Sequence, residues 1–160
     1  MRLTIAFLLT IISISTSGQR LTGKYAAYYG NSLELKDDST FRYEWSFDLA
    51  SSWTVGKWKV SNKTLYLTIV DVYDTLTREG KLDSLVLSSD DKSNRIKIEE
   101  FVGNLISGCG QNRKVDRVTN RLAIRGKRLY LMSKTGQVLR TKESGIWDRK
   151  KRPTYYFKVE

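Results

Sequence analysis

Apolar and polar residues alternate along most of the chain that follows the first 18 residues. The clearest case is segment 41–47, where every second residue is aromatic and each residue between them is polar. Because successive side chains of a β-strand point to opposite faces, this pattern predicts a strand with one buried and one solvated face. A turn-forming Asp-Asp-Ser sequence precedes it, so segments 32–36 and 40–47 are expected to form a hairpin.

Short segments of the same character continue to the end of the chain. Strands are predicted at residues 53–60, 64–73, 81–87, 95–101, 122–125, 128–132, 137–142 and 154–159. Segments 81–87 and 95–101 are expected to pair with each other, and Gly126-Lys127 predicts a tight hairpin turn. Sustained helical spacing is absent, and short helical turns are expected only at residues 72–78 and 103–112.

About ten short strands joined by short links indicate an all-β protein. We expect an antiparallel meander of about 8–10 strands closed into a lipocalin-like barrel, because closure removes exposed sheet edges. A β-sandwich is the alternative. The interior of such a barrel is wide enough for side chains or for one small ligand.

The first 18 residues have the pattern of a secretory signal peptide. Arg2 is followed by an apolar run at residues 3–14 and then by small residues that suit a signal peptidase. The run is shorter than the roughly 20 residues of a membrane-spanning helix, so no transmembrane span is expected. We therefore expect an exported protein, periplasmic or extracellular, with one domain at residues 19–160.

Composition narrows the chemistry that the chain can perform. Histidine is absent, which excludes Ser-His-Asp and Cys-His catalysis and the usual zinc sites. Cys109 is the only cysteine, so no internal disulfide can form, and we expect it to be a small buried residue. The sequence indicates no catalytic residue, no metal and no cofactor, and we expect a protein that is not an enzyme.

Adjacent carboxylates in the chain are poor catalytic candidates. Asp37-Asp38 and Asp90-Asp91 fall in predicted turns, where aspartate side chains bind nearby backbone amides. Glu99-Glu100 falls in a predicted strand, so its two side chains would point to opposite faces. A carboxylate hydrolase is only a distant third possibility.

Positive charge is concentrated in the second half of the chain. The formal net charge is +11; residues 20–80 hold 8 basic and 8 acidic residues, whereas residues 81–160 hold 19 and 9. The basic half could bind an anionic polymer, lipid headgroups or an acidic partner, or it could be a solvated face. Nucleic acid is not expected. The candidate anionic-surface-binding residues are Arg121, Arg125, Lys127, Arg128, Arg149, Lys150, Lys151 and Arg152.

A series of short motifs in residues 22–70 resembles the small exported bacterial lipocalin-like barrels. These motifs are Gly23-Lys24-Tyr25, Leu33-Glu34-Leu35, Ser39-Thr40-Phe41, Gly56-Lys57-Trp58 and Leu65-Tyr66-Leu67. In that family a Gly-x-Tyr/Trp opening strand precedes a Thr-Phe/Tyr hairpin and a Gly-x-Trp strand. The resemblance implies an up-and-down barrel, and the ligands of the family are too varied for it to imply a particular one.

Aromatic residues are concentrated in the first third of the mature chain, where they could line a ligand site or fill a core. The candidate ligand-binding residues are Tyr25, Tyr43, Trp45, Trp53 and Trp58. The leading hypothesis is an exported barrel that binds a small apolar or amphipathic ligand. The alternative is an interaction module with a solid core, whose basic face docks on an acidic protein, a glycan or an envelope surface.

Overall fold

The computed structural model describes residues 21–48, 50–107, 110–111, 120–145 and 149–159. This part of the chain is all-β with one short helix. The elements are β1 (Gly23–Ala26), β2 (Asn31–Leu35), β3 (Thr40–Phe47), β4 (Ala50–Ser61), β5 (Thr64–Ile69), β6 (Tyr73–Thr77), β7 (Ser84–Leu87), β8 (Arg95–Lys97), α1 (Ile98–Ser107), β9 (Gly110–Gln111), β10 (Arg121–Arg125), β11 (Arg128–Leu131), β12 (Lys142–Glu143), β13 (Arg152–Pro153) and β14 (Tyr156–Val159).

Eight of these strands close into an antiparallel barrel. Neighbours around the barrel follow in the order β1, β2, β3, β4, β5, β10, β11 and β14, and β14 pairs with β1 to complete the ring. Each strand pairs with the next along the chain, apart from two long insertions. The predicted antiparallel meander closed into a barrel is therefore confirmed.

The two ends of the barrel differ. One end, which we call the closed end, is formed by short turns at residues 36–39, 62–63 and 126–127. Asn62 and Lys63 both have positive φ angles, of 49° and 59°, as a two-residue type I′ hairpin turn requires. The other end, the open end, carries the short β1–β2 loop and both insertions.

Inward-facing side chains pack into one core that fills the barrel towards its closed end. Its large members are buried: Tyr25, Leu33, Leu35, Phe41, Tyr43, Trp58, Leu65, Leu67, Leu122, Leu129 and Tyr156. They come from alternate positions of the strands, as the alternation of apolar and polar residues predicts. Polar tips within this core have partners, because Tyr25 donates to the Leu21 carbonyl at 2.7 Å and Trp58 donates to the Lys36 carbonyl at 3.1 Å.

The first insertion lies between β5 and β10, and its described residues, 70–107, 110–111 and 120, include a part that packs on the outer face of the barrel beside β3 and β4. It contains the three-stranded sheet β7-β6-β8, then α1 and then β9, which pairs in parallel with β4. Trp53 lies under it and donates from Nε1 to the Ser89 carbonyl at 2.9 Å. Arg42 pairs with Asp91 at 2.6 Å and lies 5.7 Å from the Trp53 ring centroid.

The second insertion, residues 132–155, returns along the outside of β11. Met132 and Val138 form an isolated bridge, and β12 then pairs with β13. Residues 146–148 lie outside the described part of the chain. This insertion forms a rim across the open end of the barrel.

Several predictions for the insertions are wrong. Segment 72–78 forms strand β6 and is not helical, since its buried residues, Asp74 and Leu76, alternate as in a half-buried strand. Segments 81–87 and 95–101 do not pair with each other; β7 and β8 pair with opposite edges of β6. Segment 137–142 makes one bridge and the start of β12 rather than a full strand.

The helix α1 begins earlier than predicted, inside a segment expected to be a strand. Glu99 and Glu100 occupy its first turn, where carboxylates interact favourably with the positive end of the helix dipole. They do not lie on opposite faces of a strand as predicted. Asp38 and Asp90 do bind nearby backbone amides as expected, accepting from the Thr40 and Lys92 amides, each at 2.9 Å.

No helix in the described ranges is both long enough and apolar enough to cross a bilayer. The expected leader at residues 1–18, the cleavage region and Cys109 lie outside the described residues.

Candidate functional site

The open end of the barrel holds a cavity of about 400 Å³, which we call the mouth cavity. It lies above the packed core, at the ends of β1, β2, β3, β11 and β14, and the second insertion forms one side of it. Most of its lining residues are aromatic or aliphatic, but polar and apolar atoms contribute about equally to its exposed surface. The lining residues are Ala27, Tyr28, Tyr29, Asn31, Tyr43, Trp45, Leu131, Glu143, Pro153, Thr154 and Tyr156.

Three polar side chains form the floor of the mouth cavity. Tyr43 donates to Asn31 Oδ1 at 2.9 Å, and Tyr156 is hydrogen-bonded to Tyr43. Burial raises the pKa of the Tyr156 hydroxyl far above its usual range, and the neighbouring Tyr43 adds to the shift. Tyr156 therefore remains neutral at physiological pH, and its hydroxyl and that of Tyr43 lie at the floor of the cavity.

The rim of the mouth cavity is fixed to the barrel by Tyr29. Its single hydroxyl hydrogen is shared between the Glu143 carbonyl at 2.9 Å and the Lys150 carbonyl at 3.3 Å, so one side chain contacts both limbs of the second insertion. A Cβ at Gly145 would lie 2.8 Å from Tyr29 Cε1, so glycine allows the insertion to lie flat on the ring. The β1–β2 loop thus holds the second insertion over the open end.

The structure places two of the five candidate ligand-binding residues in the mouth cavity, Tyr43 and Trp45. Tyr25 and Trp58 belong to the packed core nearer the closed end. Trp53 is opposite Glu44 in the β3–β4 register and so faces outward, where the first insertion covers it. It is one residue out of phase with Trp58 and Gly56, which face inward.

Asn31, Leu131 and Tyr156 also line the cavity, although they were not among the predicted ligand-binding residues. Alternation of apolar and polar residues predicts which side chains face the inside of the barrel. It does not predict whether an inward-facing residue lies at the open end or in the packed core. Tyr155 and Tyr156 are adjacent, so one must face inward and the other outward. Sequence alone does not decide which.

The candidate anionic-surface-binding residues are spread over the molecule. Arg121 and Arg125 lie at opposite ends of β10, and Arg121 donates to the Lys134 carbonyl at 2.7 Å. Arg125 and Arg128 are register partners beside the turn that contains Lys127. Residues 149–152 belong to the second insertion: Arg149, Lys150 and Lys151 are exposed, and the Arg152 guanidinium lies 5.5 Å from the Tyr28 ring centroid.

Among the described residues, no group of three or more histidine, cysteine or carboxylate side chains is arranged to hold a metal ion. Comparison with known proteins gives no match: no protein family fits the chain, and no curated protein or solved structure is significantly similar to it.

Proposed function

We propose that this protein is a non-enzymatic binding protein that holds one small apolar or amphipathic ligand in the mouth cavity. The observation that carries the proposal is the cavity itself. Its volume of about 400 Å³ is within the range typical of small-molecule sites. Trp45 and Leu131 supply apolar wall, and the hydrogen-bonded floor supplies a few polar atoms that would orient a ligand.

The resemblance of residues 22–70 to lipocalin-like barrels supports the same function, because a closed barrel with one open end suits a single small ligand. We also propose that the protein is exported, from the leader-like pattern of residues 1–18. Mass spectrometry of the protein recovered from expressing cells tests this. Export predicts a mature chain that begins near residue 19, and an intact N-terminus would contradict it.

Binding at the mouth cavity can be tested with the neutral fluorescent probe N-phenyl-1-naphthylamine. We expect saturable binding by the wild-type protein, strong weakening in Trp45→Ala, and loss in Leu131→Trp, which fills the cavity without removing apolar surface. Trp53→Phe is the matched control, since Trp53 lies on the outer face. Full binding by a folded Leu131→Trp variant would refute the site.

The alternative function, an interaction module whose basic residues dock on an acidic partner, responds differently to salt. Ion pairing by exposed cations weakens as ionic strength rises, whereas burial of an apolar ligand changes little. The packed core towards the closed end is compatible with either function. Because the probe is neutral, its binding should change little between about 0.05 M and 0.5 M NaCl, whereas binding of an acidic polymer such as polyglutamate that is lost over this range would favour the basic face.

A further inference from the structure

A second cavity, of about 360 Å³, lies on the outside of the barrel between its wall and the second insertion. We call it the outer groove. Arg125, Tyr130 and Tyr155 form the barrel side, and segment 139–142 forms the other side. Arg140 and Lys142 belong to that segment, so cationic side chains border the groove from two separate parts of the chain.

The arginines on the barrel side lie against tyrosine rings. The Arg125 Cζ atom is 5.8 Å from the Tyr130 ring centroid, and the Arg128 Cζ atom is 4.8 Å from that of Tyr155. The two rings are themselves 5.1 Å apart. A guanidinium that rests on an aromatic face keeps its N–H groups, which lie in its own plane, available for an oxyanion. The rings therefore hold the arginines in place; Arg128 also hydrogen-bonds to Tyr130, so only part of its set of donors stays available.

Electrostatic repulsion among these cations destabilises the folded state unless an anion binds between them. Arg125 and Arg128 are direct register partners on β10 and β11, and like charges directly opposite each other destabilise a sheet. Arg140 and Lys142 line the same groove as Arg125. Within the described ranges, none of these four cations forms an ion pair with a carboxylate.

We propose that the outer groove binds the phosphate group of a small phosphomonoester. A phosphomonoester has three terminal oxygens. Near neutral pH it carries a charge of about −1.5 to −2. It can accept from several guanidinium groups at once, whereas a carboxylate has one charge and two oxygens. The hydroxyls of Thr141 and Thr154 are hydrogen-bonded to each other at 2.7 Å beside the groove, and Thr154 also lies 3.2 Å from the Thr141 carbonyl, so a phosphate oxygen would replace one of these bonds.

This proposal goes beyond ligand binding at the mouth cavity. The two cavities share only Pro153 and Thr154, and neither Arg125 nor Arg140 lines the mouth cavity. Loss of phosphate binding in variants of these arginines therefore leaves the proposed mouth-cavity function standing, and the converse also holds.

Isothermal titration calorimetry of the full chain with glucose 6-phosphate tests the proposal, with inorganic phosphate, sulfate and glucuronate in parallel. We expect saturable one-to-one binding of glucose 6-phosphate, weaker binding of sulfate and glucuronate, and at least about tenfold weaker binding in the variant Arg125→Gln/Arg140→Gln. Equal affinity for inorganic phosphate would identify the free ion as a ligand of the same site, whereas tighter binding of the sugar phosphate would identify the ester.

The matched control is Lys57→Gln/Lys59→Gln, which removes two exposed cations from β4, the strand opposite β14 in the ring. It should retain wild-type affinity. Equal weakening in both double variants would show general attraction by net charge and would overturn the proposal. Absence of saturable binding, or unchanged affinity in a folded Arg125→Gln/Arg140→Gln variant, would overturn it as well.

Discussion

Adjacent residues of this barrel serve different surfaces. Tyr156 faces inward and is hydrogen-bonded to Tyr43 at the floor of the mouth cavity, whereas Tyr155 faces outward onto the outer groove. Since side chains of a strand alternate, one tyrosine pair contributes to both candidate sites. The chemistry that each ring can perform follows from the face it occupies and not from its residue type.

Two glycines provide a residue-level test of the packing. A Cβ at Gly56 would lie 2.8 Å from the Phe41 ring and would also clash with the Thr68 carbonyl, whereas a Cβ at Gly103 in α1 would meet nothing within 4 Å. Gly56→Ala should destabilise the protein by about 1–3 kcal/mol through overpacking. Gly103→Ala should stabilise it by about 0.5–1 kcal/mol, or leave it unchanged if α1 unfolds separately. Urea unfolding of both variants checks this, and a stable Gly56→Ala protein would contradict the packing.

Because of Tyr156, the free energy of unfolding should fall as the pH rises above about 10. Burial raises the pKa of Tyr156, and also that of Tyr25, above the value near 10 expected in the unfolded chain. Because the folded state retains these protons, their contribution to stability is complete below about pH 10 and is lost above it, by about 1.4 kcal/mol per pH unit for each tyrosine.

Urea unfolding of wild-type and Tyr156→Phe proteins from about pH 8 to pH 11 measures this effect. The variant should lose part of the decline above pH 10, because phenylalanine has no proton to release. Identical pH profiles for the two proteins would show that Tyr156 ionises as easily in the folded state as in the unfolded chain.

At the scale of elements, the sequence predicted the barrel strands better than the insertions. The hairpin of β2 and β3 and that of β10 and β11 were expected at nearly their observed bounds, since alternation and local turns define them. In the first insertion β8 pairs in parallel with β6, and the paired residues are about 20 positions apart in the sequence. No local turn motif predicts such a pairing. The start of helix α1 was missed because Ile96 and Ile98 alternate as in a strand, although Ile98 and Phe101 have helical spacing.

The candidate site was predicted only in part, for a similar reason. Alternation identified Tyr43 and Trp45 as inward-facing, and both line the mouth cavity. Trp53 and Trp58 are five residues apart, so alternation along one strand already puts them on opposite faces and only one of them could line the interior; the sequence did not show which one. The outer groove depends on the return of segment 139–142 along β11, a tertiary contact without a sequence signal.

Tyr29 offers a test of how the second insertion is held. Tyr29→Phe removes the hydrogen bonds to Glu143 and Lys150 while keeping the ring. Amides of β12 and β13 should exchange roughly three- to tenfold faster, since a hydrogen bond contributes on the order of 1 kcal/mol to local opening. Amides of the barrel strands should be unaffected.

Hydrogen exchange read by mass spectrometry resolves this, with Tyr66→Phe on the barrel wall as the control. Unchanged exchange in β12 and β13 would mean that the other contacts of the insertion suffice to hold it. Faster exchange throughout the barrel would mean that the insertion and the barrel open as one unit.

At the scale of the whole molecule, the excess of positive charge is the main electrostatic feature. The chain carries a net charge of +11, and the ion pairs of Arg42 with Glu44 and Asp91 and of Arg95 with Asp83 lie on the side of the first insertion. Repulsion among cations opposes the compact state and is weakened by salt. Added NaCl should therefore raise the melting temperature, which is the opposite of what a fold held by surface ion pairs would show.

Phosphate should stabilise the protein further than this screening does. A ligand that binds only the folded state adds RT ln(1 + [L]/Kd), so phosphate at about a hundred times its Kd contributes about 2.7 kcal/mol beyond the effect of ionic strength. Sulfate at the same ionic strength is the control, because it strengthens apolar burial in the way that phosphate does. Thermal unfolding should show an excess stabilisation by phosphate over sulfate in the wild-type protein. That excess should vanish in Arg125→Gln/Arg140→Gln, although the response to NaCl persists. If the excess survives in this variant, the phosphate lies elsewhere on the basic half of the molecule.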